Sequence, residues 1–368
     1  MISDDVQGFE AAMVVLPCSE LDETLSFFTE RLGFRVEAIY PADSPRVAVV
    51  SGYGLRIQLE RGSEGAPGVI RLRCTNLGAG KGSPKELRAP NGTRIELVEA
   101  DPPLVMPRVE PSFVLSESSE EATWGTGRAG MRYRDLVPDH QGGFLVASHI
   151  QIPDGGPVPD YVHFHKIRFQ MIYCYKGWVR VVYEDQGPPF ILKAGDCVLQ
   201  PPRIRHRVLE SSPGLEVIEI GCPADHVTFA DYDLDLPTPT ERPQRSFEGQ
   251  RFVRHEAAAA SWQPWRVEGF DCRDTGITAA TGGLASVRIA RRNRTPPEIL
   301  YRHDAELLFM FVLDGSLDLR VEGHHSHHLV PGMAFVLPAS VGHGFSGCSS
   351  DLELLEVAFP AAFATNRV

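Results

Sequence analysis

The sequence predicts a mainly β chain: two tandem antiparallel barrels preceded by a smaller α+β module of strand–helix–three-strand order. Three observations lead there. Short apolar runs are punctuated throughout by turn formers, 34 glycines and 29 prolines in 368 residues, which suits many short strands. One spaced set of residues occurs twice: Gly177, Gly195, Pro201 and His206 precede Gly315, Gly332, Pro338 and His343 by 137 or 138 residues, and Arg134-Asp135 and Gly142-Gly143 return as Arg273-Asp274 and Gly282-Gly283. The first hundred residues lie outside this repeat and contain a helical periodicity instead.

In that first module Ser19 is placed to cap a helix whose apolar positions Leu21, Leu25, Phe28 and Leu32 share one face, and Gly33 ends it. The strand-like runs FRVEAIY, RVAVVSG and LRIQLE follow, and APNGTRIELVEA comes later. Across roughly residues 9 to 100 this order resembles the vicinal oxygen chelate (glyoxalase and bleomycin-resistance) superfamily. The metal enzymes of that superfamily draw ligands from His and Glu, yet no histidine precedes His140 here. Glu60 and Glu96 fall where carboxylate ligands would sit, but without imidazole they make a poor transition-metal site and read more simply as solvated strand ends. The module is therefore expected to be noncatalytic.

The expected divisions are 1–105 for this module, 106–232 for the first barrel, 233–260 for a linker and 261–368 for the second barrel. EADPPLVMPRVEP (99 to 111) is Pro-rich and acidic, as a linker would be, and DLDLPTPTERPQRSFEGQ (233 to 250) is long enough to form a strap over a barrel surface. HEAAAASW (255 to 262) is expected to make one or two helical turns.

The first barrel carries the chemistry. His163-x-His165-x4-Gln170-x6-Gly177 is followed by Gly195-x5-Pro201-x4-His206. In a strand, residues i and i+2 face the same way, so His163 and His165 enter one interior while Phe164 points out. Imidazoles suit iron, zinc, copper and nickel, whereas magnesium and calcium want oxygen. The two motifs resemble those of the cupin superfamily, whose double-stranded β-helix (jelly-roll) barrel holds one metal by two histidines, an acidic residue and a third histidine. The resemblance implies metal ligands at His163, His165, Gln170 and His206, with Gln170 standing where the family usually has Glu.

Strand parity extends the list. Arg168 shares parity with Gln170, so it points inward to pair with an anionic substrate group or outward at the turn, the two readings standing equal. Tyr161 shares parity with His163 and either donates a hydrogen bond to substrate or oxygen or packs at the rim. His149 is read as a core or surface histidine, and Cys174 and Cys197 as small core residues with no base to activate them. The cluster His324, His325, His327 and His328 reads as a solvated hairpin tip.

In the second copy His165 corresponds to His303 and His206 to His343, but His163 becomes Tyr301 and Gln170 becomes Leu308. A leucine donates no electrons to a metal, so this barrel is expected to be degenerate. Its continuous apolar runs, LLFMFVLDG and LELLEVAF, suit strands buried on both faces at a barrel-to-barrel or subunit interface, and a homodimer is expected.

Composition narrows the partners. No run of about 18 apolar residues exists to span a bilayer, and MISDDVQGFE is too acidic for a secretory leader, so a cytoplasmic protein without a membrane partner is expected. A net charge of −12 argues against nucleic acid, whose phosphates need a basic face. Seven cysteines without a CxxC pair indicate neither a disulfide framework nor a zinc ribbon. An all-neutral shell of three histidines and one glutamine would leave a divalent metal at +2, favouring an anionic chelating substrate of catechol, enolate or hydroxy-acid type. Three-histidine iron sites among cupins are associated with dioxygenases, including the bicupin gentisate dioxygenases. The expectation is thus a mononuclear iron(II) dioxygenase acting with O2 on a small molecule, with zinc, manganese or nickel as alternative metals. A non-redox isomerase or lyase, and a noncatalytic small-molecule binder, are the rival readings.

Overall fold

The computed structural model describes residues 8–75, 77, 85–117 and 124–368, and the chain divides into two compact units, Met1–Pro103 and Leu104–Val368. In the first unit Val14–Pro17, the helix Leu21–Ser26, and the strands Arg35–Tyr40, Val47–Gly52 and Leu55–Glu60 give the expected order. The four strands form one sheet over a core of Leu16, Leu21, Phe28, Val50, Ile57 and Leu59. The helix begins one residue later than Ser19 suggested. Glu20 is its N-cap, no side chain caps it, and the Glu20 carbonyl takes the first helical bond from Thr24 N–H at 3.0 Å. Glu96 is ion-paired with Arg71 and Arg94, which leaves it a poor ligand.

The second unit holds both barrels, and the repeat is visible in strand register. In the first, His206 lies directly opposite His163, and Thr228 opposite His165. In the second, His343 lies opposite Tyr301, and Thr365 opposite His303. Each barrel packs a seven-stranded sheet against a smaller one. Gly177 and Gly315, at φ +74° and +68°, make the same turn, and a Cβ at either would collide with the Oγ of Ser212 or Ser349.

Two short strands pair across the expected borders. Val114–Ser116, placed by sequence in the first barrel, pairs with Ala334–Leu337 of the second. Val253–His255, placed in the linker, pairs with Cys197–Leu199 of the first. Segments this short carry little pattern, and their pairing is decided by distant chain. The Ala-rich stretch makes a single 3-10 turn, Ala257–Ala259. The strap lies on the first barrel: Phe247 joins its interior core, and Phe252 packs on Tyr183 at 4.6 Å between ring centroids.

A core between the barrels consumes the continuous apolar runs of the repeat. Phe309, Phe311, Leu355, Val357 and Phe359 meet Phe169, Met171, Tyr173, Ile218 and Ile220 there. These strands are buried on both faces because the two seven-stranded sheets cover each other, which is the barrel-to-barrel alternative of the two expected uses for the runs. Two arginines clasp this seam symmetrically. Buried Arg134 donates to the Gly332 carbonyl at 2.6 Å and its guanidinium lies 3.0 Å from His149 Nδ1, while Arg273 donates to the Gly195 carbonyl at 3.3 Å. His149 Nε2 in turn meets Glu216 at 2.7 Å, which takes this histidine out of the site. Arg134→Met should cost about 2 to 3 kcal/mol, since it strands a buried carbonyl and imidazole; a urea midpoint unchanged from the parent would show the clasp to be ornamental.

Candidate metal centre

His163 and His165 enter the first barrel from the strand His163–Lys166, and His206 from the first residue of His206–Ser211. One ring nitrogen from each lies within 4.8 Å of the others, and all three residues are buried. The other nitrogen of each ring is already held. His163 Nδ1 donates to the Tyr161 carbonyl at 2.9 Å and His206 Nδ1 to the Ile204 carbonyl at 3.0 Å, while His165 Nδ1 is hydrogen-bonded to Thr228 Oγ1 at 2.8 Å. With Nδ1 engaged in each ring, Nε2 is the atom left to ligate, the arrangement that outer hydrogen bonds impose on metal-bound imidazoles. Nε2 of His163 is buried without a hydrogen-bond partner among the described residues, an orphan a metal would satisfy.

Burial also sets the protonation state. Desolvation holds His163 and His206 below the ordinary imidazole value, and His165 down to about 2, with the neighbouring imidazoles adding to the effect for His165 and His206. Neutral imidazole is the ligating form. His343 in the second barrel is lowered to about 4 by the same cause. Because the folded values lie below the unfolded one, stability is retained above about pH 6.5 and lost as pH falls, by about 1.4 kcal/mol per pH unit for each such histidine. Metal-free protein should therefore show a urea midpoint that drops steeply between pH 6.5 and 5; a flat profile would contradict the burial of these rings.

Gln170 comes from the opposite sheet, on Phe169–Lys176, and lines the same cavity. Its Nε2 donates to Glu219 Oε1 at 2.5 Å, which directs the amide and leaves Oε1 as its free acceptor. Glu219 lines the cavity as well, which adds a carboxyl group outside the three-histidine cluster. Of the two readings open for Arg168 and for Tyr161, the geometry favours the outward arginine and the packing aromatic. Arg168 is exposed at the bend between two strands, where parity with Gln170 breaks, and it does not line the cavity. Tyr161 precedes its strand rather than belonging to it. Its ring packs beside His163 and Tyr232, outside the cavity lining, and its contribution to the site is a backbone carbonyl.

The cation that does line the cavity is Arg128, paired with buried Asp160 and 3.3 Å from His163 Nδ1. The cavity measures about 380 Å³. Its polar side also includes Gln200, Tyr183, Tyr133, Thr228 and His226, and apolar side chains such as Ile150, Ile172, Val181, Leu192 and Val217 form the remainder. Cys174 is buried with its thiol pushed up to about 12, and Cys197 is also buried and raised, as expected of inert core cysteines. His324 and His325 are exposed just before the hairpin strand His327–Leu329, and His328 is exposed within it.

The second barrel's residues do not fit a metal. Tyr301 and Leu308 replace two donors, and both lie in its apolar core. His303 Nδ1 accepts the Ala305 N–H at 3.2 Å, which puts the ring proton on Nε2, the atom that would have to ligate. Arg266 closes on the fully buried Glu356 and on the faces of Trp265 and Phe363.

No family model and no curated protein matches this sequence. Solved structures do. The chain is similar to the salicylate 1,2-dioxygenase of Pseudaminobacter salicylatoxidans, at 15% identity and TM-score 0.52 over 72% of this chain and 90% of that one. It is similar to the same enzyme carrying gentisate at 14% identity and TM-score 0.50, over 72% and 87%. A variant of the oxalate decarboxylase of Bacillus subtilis gives 15% identity and TM-score 0.49, over 73% and 81%. At these identities the likeness establishes the architecture: two tandem cupin-type double-stranded β-helix barrels.

Proposed function

We propose that the first barrel is a metal-dependent active site in which His163, His165 and His206 hold one divalent transition metal, iron(II) in the first instance, with the Gln170 amide oxygen beside them. The observation that carries this reading is the convergence of three Nε2 atoms whose Nδ1 partners are all engaged. We propose further that the reaction is a dioxygenation of a small chelating molecule. The architecture is shared with salicylate 1,2-dioxygenase, an enzyme of that reaction type, which supports the choice as a starting point for assay. When bound, the metal supplies Lewis-acid charge and open positions for the substrate's chelating oxygens.

The chain's own residues do the rest. Arg128, anchored by Asp160, offers positive charge to an anionic substrate in place of Arg168. Glu219, fixed by Gln170, is an acceptor for a substrate hydroxyl. The apolar wall of Ile150, Ile172, Val181 and Val217 keeps water from the reacting atoms.

The test is metal content of protein purified without a histidine tag, followed by oxygen uptake with catechols, β-diketones and thiols. About one iron per chain and uptake with one class is the expected result. Turnover without oxygen would favour an isomerase or lyase, and tight ligand binding with no turnover a binding protein.

A further inference from the structure

The second barrel serves as an internal control for the first, because equivalent strands keep the same register. Tyr183 lies opposite His206 and Val321 lies opposite His343. Gln200 N–H donates to the Gln170 carbonyl at 2.9 Å, and Leu337 pairs with Leu308. Where the first barrel has Tyr183 and Gln200, the second thus has Val321 and Leu337, so hydrocarbon at both positions closes such a barrel well. The polar pair is not needed by the fold.

It is also incompletely satisfied. Gln200 is 4% exposed, its Nε2 donates to Tyr183 Oη at 2.9 Å, and its Oε1 has no partner among the described residues. Tyr183 is 2% exposed, and no acceptor for its own proton occurs among the described residues. Both side chains line the same cavity as the three histidines, and the Tyr183 ring stacks on His206 at 5.5 Å between centroids. A buried amide oxygen and phenol left this way call for a partner. If the two ends of the amide are exchanged, the unpaired atom becomes a donor instead of an acceptor. A hydroxyl, which donates and accepts, answers either arrangement.

We infer that Gln200 and Tyr183 are specificity residues that recognise a hydroxyl group on the substrate, carried on a part of the molecule distinct from its chelating oxygens. This rests on the reading of the cavity as the substrate site.

The test compares methylcatechol with (hydroxymethyl)catechol, each as the 3- and the 4-isomer, on full-length protein loaded anaerobically with iron(II). Dissociation constants are read by calorimetry and iron content by elemental analysis. An apolar wall would favour the methyl compounds, so the sign of the preference is informative. For at least one isomer the parent should bind the hydroxymethyl member about tenfold more tightly than the methyl one. Gln200→Leu should reverse that order and Tyr183→Phe should weaken it, with iron content unchanged in both. The second barrel's Leu337 indicates that the leucine variant folds, and Tyr183→Phe removes a single oxygen.

Equal affinities in the parent, a preference that both variants retain, or no binding of any of the four compounds would overturn the inference. The same preference in metal-free protein would keep hydroxyl recognition and remove the metal from substrate binding. Full iron content with no discrimination would do the reverse.

Discussion

Alanine at any one of His163, His165 and His206 is expected to lower metal affinity by more than about 100-fold, since loss of an outer hydrogen-bond partner alone costs about 10- to 100-fold. The three Nε2 atoms converge within 4.8 Å, so removing one leaves two imidazoles and a weak amide oxygen. Thr228→Val deletes the hydroxyl at 2.8 Å from His165 Nδ1 and should fall inside the lower range, about 10- to 100-fold. His303→Ala, in the second barrel, should leave the metal content as it was. Elemental analysis of dialysed protein reads all five variants, with the urea midpoint as the control for folding. Unchanged metal in the three alanine variants would sink the assignment, and loss of metal from His303→Ala would show that the wrong barrel had been chosen.

The three histidines were legible in sequence because each sits inside or at the start of a strand, where period-2 parity holds, and because glycines fix the turns on either side. Arg168 stayed undecided between inward and outward for the same physical reason in reverse: it stands one residue before its strand, on a bend where parity says nothing. Tyr161 likewise precedes its strand and supplies a carbonyl, a role no side-chain pattern reveals. The pairing of Val114–Ser116 with the second barrel and of Val253–His255 with the first was hidden by shortness, three residues each, and by the distance in sequence of their partners.

Other residues were missed although a signal existed. Arg128 and Arg266 are separated by the same 138 residues that align the glycines, and Glu219 and Glu356 by 137, so the repeat already marked both pairs. The departures from the repeat were as informative. Tyr183 and Gln200, facing Val321 and Leu337, are polar residues where the barrel itself asks for hydrocarbon. What sequence could not supply was partnership. That Gln170 turns its amide to a carboxylate, and that Asp160 holds Arg128, depends on which side chains meet across two sheets.

Those partnerships explain why one barrel is open and the other closed, and they lead to the largest stability effect expected. In the first barrel Arg128 is held by Asp160 and Glu219 by Gln170, so the two charges are kept apart and the space between them stays available. In the second, Asp160 is replaced by Glu298, which lies 3.8 Å from Arg320, and Gln170 by Leu308. Freed of those holders, Arg266 and Glu356 close directly on each other. Glu356 is 0% exposed and its remaining cationic neighbour is Arg288 at 3.7 Å, so Arg266→Met leaves a buried carboxylate without its main partner. The cost should be about 3 kcal/mol, the lower end of the range for breaking a buried pair, because Arg288 stays. Replacing both partners, Arg266→Met with Glu356→Leu, removes the charges together and should bring stability back to within about 1 kcal/mol of the parent or above it. Urea unfolding of the parent and the two variants, with the metal removed, measures the difference. If the single substitution is neutral, or the double is as unstable as the single, the pair is not what closes the second barrel, and packing around Leu308 and Phe335 would have to account for it alone.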